Sequence, residues 1–241
     1  MWILAVDTAT SSQGVAILQD NRVVAHSQTL SQAIPPSRNL LPTIHEMLGA
    51  NSLTIVQIEG FAVSIGPGSF TGLRVGLATL LGLRMKLGIP VIGVPTLEAM
   101  AHPYHDSTYR VCPILKAGKG EVYWAQFHCP NGEMVRLSED RVGSVVECME
   151  SIGEPTVMFG EGWFAHKKQF ELTLGTLCLK ETSGEIFTLA VNVGILAMRQ
   201  YQVNPKPPHR IVPRYIHPSY AQQRKENSHT IEDVQHVYQK Y

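Results

Sequence analysis

A carboxylate followed by small hydroxyl side chains opens the chain: Asp7-Thr8-Ala9-Thr10-Ser11-Ser12. Such a group can hold a metal-bound water and hydrogen-bond phosphate oxygens. It can equally be an ordinary turn in which the aspartate bonds its own backbone. A second stretch, Gly66-Pro67-Gly68-Ser69-Phe70-Thr71-Gly72-Leu73-Arg74-Val75-Gly76, couples a glycine-rich turn to the start of a helix. Each glycine inside a helix costs about 1 kcal/mol against alanine. A helix holding Gly72, Gly76 and Gly82 has therefore exchanged propensity for close approach, either of a phosphate or of another helix. The spacing is not that of a Walker A loop, because no Gly-Lys-Ser/Thr closes it. Nor is it a dinucleotide fingerprint, and Ser69 does not sit in a Gly-x-Ser-x-Gly elbow.

Other reactive side chains are sparse. The ten histidines form no H-x-x-x-H on a helix and no ligand pairing with nearby cysteines. His102 and His105, beside Pro103, read as solvated. The four cysteines (Cys112, Cys129, Cys148, Cys178) lack any C-x-x-C pair and read as buried free thiols of a reducing compartment. No Ser-His or Cys-His arrangement of a peptidase is legible.

Lys plus Arg and Asp plus Glu are 20 each in 241 residues, so the net charge is zero. No basic run of five or more residues occurs. Autonomous nucleic-acid binding needs clustered cations to neutralise phosphates, so work on RNA would need a partner's grip. The apolar run Trp2 to Val6 is too short for a signal-peptide core or a membrane span, which predicts a soluble, cytoplasmic protein away from membranes.

These residues need positioning elements. Strands are predicted at 2–7, 15–18 and 23–27, the last two joined by a turn at Asp20-Asn21, together a meander. A helix over 37–48 follows Pro35-Pro36, with Leu40, Leu41, Ile44 and Leu48 on one face and Pro42 near its first turn. A strand at 59–65, the glycine-rich helix over 69–87 and a strand at 91–94 complete an α/β unit with a mixed sheet. A linker containing Pro103 and Asp106-Ser107 leads to a second half. It opens with strands at 109–115 and 121–127 across Gly118-Lys119-Gly120, an echo of the first hairpin that hints at internal duplication. An amphipathic helix is expected over 186–201, then an extended linker over 204–208 and a polar tail over 221–241.

On the glycine-rich helix, Gly72, Gly76, Thr79 and Leu83 line one side and Leu77, Leu81 and Met85 the other. A helix apolar on two faces must be covered on both. One face can pack on the sheet, and the small-residue face invites a close helix from the same chain or from a partner.

The Asp-Thr-Ala-Thr hairpin and Ile65-Gly66-Pro67-Gly68-Ser69-Phe70-Thr71-Gly72-Leu73-Arg74-Val75-Gly76 together resemble the bacterial TsaB family of tRNA threonylcarbamoyladenosine biosynthesis proteins. The resemblance runs through Gly88-Ile89-Pro90-Val91-Ile92-Gly93-Val94-Pro95-Thr96-Leu97-Glu98-Ala99. It resumes at Gly120-Glu121-Val122-Tyr123-Trp124-Ala125 and at Phe159-Gly160-Glu161-Gly162, and fades after Arg214-Tyr215. It implies a two-lobed α/β fold of the actin and hexokinase type, each lobe a mixed sheet with flanking helices. The lobes would be 1–107 and 108–220, with the 186–201 helix a candidate to pack back on the first lobe.

The resemblance also implies a non-catalytic subunit that activates the catalytic paralogue TsaD by heterodimerising through its first lobe. The modification is threonylcarbamoylation of the adenosine next to the anticodon in tRNAs reading codons that start with A. A small ATPase, TsaE, a second copy of the chain, and tRNA held through the complex are the other implied partners. In TsaD a metal-binding H-x-x-x-H follows the strand equivalent to 91–94, and the matching positions here are Thr96 and Met100. Neither can replace an imidazole at a transition metal. Where relatives carry an aspartate in the second hairpin this chain has Lys116, which removes a Mg²⁺ ligand opposite Asp7. Hence no catalytic or metal residues are expected. Vestigial nucleotide contacts would fall to Asp7, Thr8, Ser11 and Lys116, with ATP or ADP and Mg²⁺ at the partner interface as the only cofactor candidates. The implied partner surface comprises Leu40, Leu41, Ile44, Ser69, Phe70, Gly72, Leu73, Gly76, Thr79 and Leu83. On that reading Gly76→Leu blocks pairing and spares the monomer. The rival reading is a nucleotide-dependent kinase or ATPase using Asp7.

Overall fold

The computed structural model describes residues 1–20, 22–118, 120–179, 188–205 and 211–216. Asn21 and Lys119, at the centres of two expected turns, lie outside these residues, as do the 206–208 part of the linker and the tail over 221–241.

The first lobe is built from β1 (Trp2–Asp7), β2 (Ser12–Gln19), β3 (Arg22–Leu30), α1 (Pro36–Ala50), β4 (Gly60–Ser64), α2 (Phe70–Leu87), β5 (Val91–Val94) and α3 (Thr96–Ala101). Its sheet has the order β3-β2-β1-β4-β5, antiparallel across the meander and parallel from β1 to β5. Burial follows the pairing. Every residue of β4 is buried, as expected of a parallel strand covered on both faces. The edge strand β3 alternates exposed and half-buried positions.

The second lobe contains β6 (Arg110–Gly118), β7 (Glu121–Trp124), β8 (Phe127–His128), β9 (Val135–Arg136), β10 (Arg141–Ser144), α4 (Val145–Glu150), β11 (Thr156–Phe159), α5 (Glu161–Leu174) and β12 (Cys178–Leu179), followed by α6 (Leu189–Val203). Its main path, β10-β7-β6-β11-β12, repeats the order and strand senses of the first sheet. The hairpin echo in the sequence thus marks a duplicated topology, with Lys116 near the end of β6 where Asp7 ends β1.

Local signals account for the helix that carries the glycines. The Ser69 side chain caps α2 by accepting the Gly72 N–H at 3.1 Å, and left-handed Gly88 ends it. Arg84 and Lys86 occupy the last turn, where cations suit the helix dipole. Helix α1 begins earlier than predicted, at Pro36, which puts Pro42 in its interior rather than near the first turn. Pro42 and Arg38 are both exposed, so water can satisfy the Arg38 carbonyl that has lost its partner.

The first sheet is covered by α1 and α2 on one face, where Leu40, Ile44, Leu77 and Leu80 meet Val15, Ile17 and Val63. Helix α6 covers the other, through Ala190, Val193 and Ala197 against Ala5, Leu18 and Ile92. The helix that follows the second sheet therefore belongs to the first lobe's core. Helix α3 is shared: Ala99 joins the cluster under α6, while Leu97 and Ala101 join Val111, Phe127 and Phe159 of the second lobe. Among the described residues no helix is long and apolar enough to cross a membrane.

His102, expected to be solvated, is buried beneath this shared helix at 6% exposure. Burial, with the Arg199 and His105 charges beside it, pushes its pKa down to about 4 from 6.5. A lowered histidine pKa means that the unfolded chain takes up a proton the folded chain refuses. Stability is therefore complete above about pH 6.5 and falls as pH drops toward 4. The loss between pH 7 and pH 5 is expected to be about 2 kcal/mol. Burial raises the Asp7 pKa, which acts with the opposite sign, since its stability is lost as pH rises. Urea midpoints of the wild type and His102→Gln at both pH values isolate the histidine. An equal pH response in the two proteins would refute the assignment.

Candidate functional site between the lobes

The β1–β2 hairpin, the 65–69 loop, the start of α3 and the start of α5 converge between the lobes. Asp7 is buried at the end of β1, at 1% exposure. Its Oδ1 accepts the Ala9 N–H at 3.1 Å and its Oδ2 accepts the Thr10 hydroxyl at 3.0 Å. Burial raises its carboxyl above the usual carboxylate range, and these two bonds oppose the shift. Both oxygens of this buried carboxyl are thus engaged in bonds within its own turn. Lys116 is exposed on the second hairpin. Among the described residues no group of three or more His, Cys, Asp or Glu side chains is gathered as a metal site would require.

Thr8 explains two of the three glycines of α2, Gly72 and Gly76. Its hydroxyl donates to the Gly72 carbonyl at 2.7 Å. A Cβ at position 72 would lie 1.8 Å from the Thr8 carbonyl oxygen, and one at 76 would lie 2.4 Å from its Oγ1. The Ser69 N–H donates to the Ala9 carbonyl at 2.7 Å, so loop and hairpin are stitched together. The close approach that Gly72 and Gly76 permit is therefore to the chain's own hairpin, whereas Gly82 has no heavy atom within 4 Å of its Cβ position.

That corrects part of the expected partner surface. Gly72 and Gly76 are buried within the chain, and Leu40, Ile44 and Leu73 are core residues at 1–3% exposure. Their apolar area is already spent inside the lobe. Phe70, Thr79 and Leu83 are half-buried, and Ser69 and Leu41 are exposed. What α1 and α2 leave open is Leu41 at 54% exposure, Met85 at 90%, and Ala78 and Gly82, the last with open space where a side chain would be. Met85 had been assigned to a covered face. Among the described residues nothing covers it.

Thr96 and Met100 both have packing roles. Thr96 is fully buried; its N–H donates to the Gly66 carbonyl at 2.9 Å and its Oγ1 accepts the Gly66 N–H at 3.1 Å. It thereby fixes the entry to the glycine-rich loop. Met100 lies against Gly160 at the start of α5, its Cε 2.9 Å from where a Cβ would stand.

Four participants were given no role by the sequence reading. Glu161, first residue of α5, accepts the Ser11 N–H at 2.7 Å across the lobes. The strap over 211–216 crosses the same cleft: the Arg214 N–H donates to Ile65 O at 2.6 Å, Tyr215 packs on Phe70 with ring centroids 4.6 Å apart and planes tilted by 37°, and Ile216 packs against the second lobe's core. Arg74 lies over the Phe70 ring at 3.8 Å and donates to the Tyr215 hydroxyl at 3.0 Å. Asp140 holds the strap from the other side through Arg214 at 3.7 Å. The sequence motifs contain Arg74, Glu161, Arg214 and Tyr215 without giving them a role, and Asp140 lies in none of them.

The solved structure titled YeaZ from Pseudomonas aeruginosa superposes with a TM-score of 0.72 at 24% identity, covering 89% of this chain and 99% of that one. The likeness establishes the two-lobed α/β fold. A family model described as TsaD, tRNA N6-adenosine threonylcarbamoyltransferase, matches residues 33–177. The Bacillus subtilis strain 168 tRNA threonylcarbamoyladenosine biosynthesis protein TsaB is 29% identical over 73% of this chain and 78% of its own. The Escherichia coli K12 protein of the same name is 34% identical over 68% of this chain and 73% of its own. Identity sustained over that share of both sequences carries more than a common fold: the chain belongs to the TsaB family.

Proposed function

We propose that the chain is a non-catalytic subunit of tRNA threonylcarbamoyladenosine synthesis, acting as a scaffold and activator in a heterodimer with a TsaD-type catalytic paralogue. The observation that carries this reading is the state of α3. The two positions where the paralogue would place metal-binding histidines are occupied by Thr96, which holds Gly66, and Met100, which packs on Gly160. Without that metal the chain has no electrophile to orient a carbamoyl donor. Asp7, the residue an ATPase would need, is buried and bonded on both oxygens, which weighs against the rival reading. TsaE and a second copy of the chain are further partners in this reading, tRNA is reached through the complex, and ATP or ADP with Mg²⁺ belongs at the partner interface.

The partner face in this reading is the open side of α1 and α2. Leu41→Glu with Met85→Glu is expected to weaken heterodimer formation at least tenfold while leaving the urea midpoint unchanged, because neither side chain is in the core. The decisive assay combines TsaD, TsaE, the donor-forming enzyme, unmodified tRNA, threonine, bicarbonate and ATP, with and without this chain. Product only with the chain present, none from chain plus donor alone, and a matching loss with the double variant are expected. Equal product without the chain would overturn the proposal.

A further inference from the structure

The described residues end at Ile216, on the wall of an open groove in the second lobe. The groove holds about 470 Å³ between β7, β10 and α4. Trp124 lines it at 3% exposure and spends its indole N–H on the Ser151 hydroxyl at 3.1 Å, so what it offers is apolar. Half-buried Val142 and Ile216 extend that apolar wall. The charge around it is unbalanced. Asp140 is matched by Arg136 and Arg214, which leaves exposed Glu147 and Glu150 against Arg141 alone. Glu147 accepts the Ser144 N–H and hydroxyl, whereas Glu150 makes no ion pair with the described residues.

The sequence that follows supplies the complement. His217 precedes Pro218, which favours extended backbone and carries the chain onward. Tyr220 comes four residues after Ile216, within about 14 Å of it even at full extension. Arg224 and Lys225 follow four and five residues after Tyr220. A tether this short keeps the local concentration high, so contacts too weak to hold a free peptide are populated.

We propose that the groove is the docking site of the chain's own residues 217–225. The Tyr220 ring covers Trp124, Val142 and Ile216, and Arg224 and Lys225 face Glu150 and Glu147. The contact anchors the strap on the second lobe beyond Ile216, as Arg214 and Tyr215 anchor it to the first through Ile65 and Phe70.

The test uses the full chain and limited trypsin digestion. Trypsin cuts after Arg224 and Lys225 when they are free, and after Lys240 as an internal control. Glu150→Arg is expected to speed cleavage at 224 and 225 at least fivefold and to leave cleavage at 240 unchanged. A cation at the last position of α4 suits the helix dipole, so this variant keeps its fold. Tyr220→Ala, which probes the same contact from the tail side, should speed it at least threefold. In the wild type, NMR should show cross-relaxation between the Tyr220 ring and the Val142 methyls. Equal cleavage in all three proteins, equal acceleration at all three sites, or no ring-to-methyl contact would each overturn the docking. A ring-to-methyl contact found only between differently labelled copies would assign the groove to the tail of a second copy, which would overturn the chain's own segment as its occupant.

Discussion

Gly72→Ala is expected to destabilise the first lobe by about 3 kcal/mol or more, although alanine is the better helix former by about 1 kcal/mol. The reason is backbone on backbone. The new Cβ would stand 1.8 Å from the Thr8 carbonyl oxygen, which no rotamer change can relieve. Either α2 moves off the sheet or the hairpin moves off α2, and each movement breaks the Thr8 to Gly72 hydrogen bond, worth about 1 kcal/mol. Gly76→Leu should fare no better, because its branch would enter the space of the Thr8 hydroxyl and the Val63 methyls. Loss of pairing in that variant would therefore report a damaged monomer, not a blocked interface. Gly82→Ala is the internal control: with no heavy atom within 4 Å of its Cβ, it should gain about 0.5–1 kcal/mol from helix propensity. Urea midpoints of the three variants check this. Equal midpoints for Gly72→Ala and the wild type would mean that hairpin and helix are not in the contact described.

The contrast shows what the sequence could carry. The strand at 91–94 and the meander were legible, because alternating and continuous apolar runs report which faces of a strand are buried. So was the glycine-rich helix, since Ser69 and Gly88 are local capping signals. The partner of its glycines was not, because glycine says that something comes close without saying what. Thr8, 64 residues away, is a long-range fact. The same holds for Glu161, which reads as an ordinary first-turn acid of its own helix until its bond to Ser11 is seen. His102 was misread for a related reason: a histidine beside a proline looks like a loop residue, and only the packing of α6 over α3 buries it. Helix α6 could be found by its pattern, but its lobe is fixed by which sheet face was left bare. The small Ala190, Ala197 and Gly194 that let it lie against the first sheet mark close packing without naming the surface.

Asp140→Ala is expected to cost about 3 kcal/mol, the second large effect, and to free the strap. The Asp140 carboxylate is only 7% exposed and accepts from Arg136 Nη1 at 2.6 Å, with Arg214 Nη1 at 3.7 Å on its other oxygen. Arg136 in turn lies over the Phe127 ring at 4.7 Å and reaches Glu98 of α3 at 3.7 Å. The carboxylate thus sits between one cation that anchors it to the second lobe and another carried by the strap. Its removal leaves Arg136, three-quarters buried, with the Ser138 carbonyl at 3.4 Å, the Phe127 ring and the longer Glu98 contact as its remaining described partners, and a cation short of its close counter-charge in that position is what makes a broken buried pair expensive. Replacing both partners with apolar side chains, as in Asp140→Leu with Arg136→Met, should recover a good part of the loss, because no charge is then left stranded. The same variant separates strap from core: in Asp140→Ala the Arg214 amide, bonded to Ile65 O, should exchange faster, while amides of β1 and β4 follow only the global loss. Uniform acceleration at all these amides would show that the strap is part of the cooperative core. A selective effect at Arg214 would make it a separable tie across the lobes, its Tyr215 lying on Phe70 beside the capped start of α2.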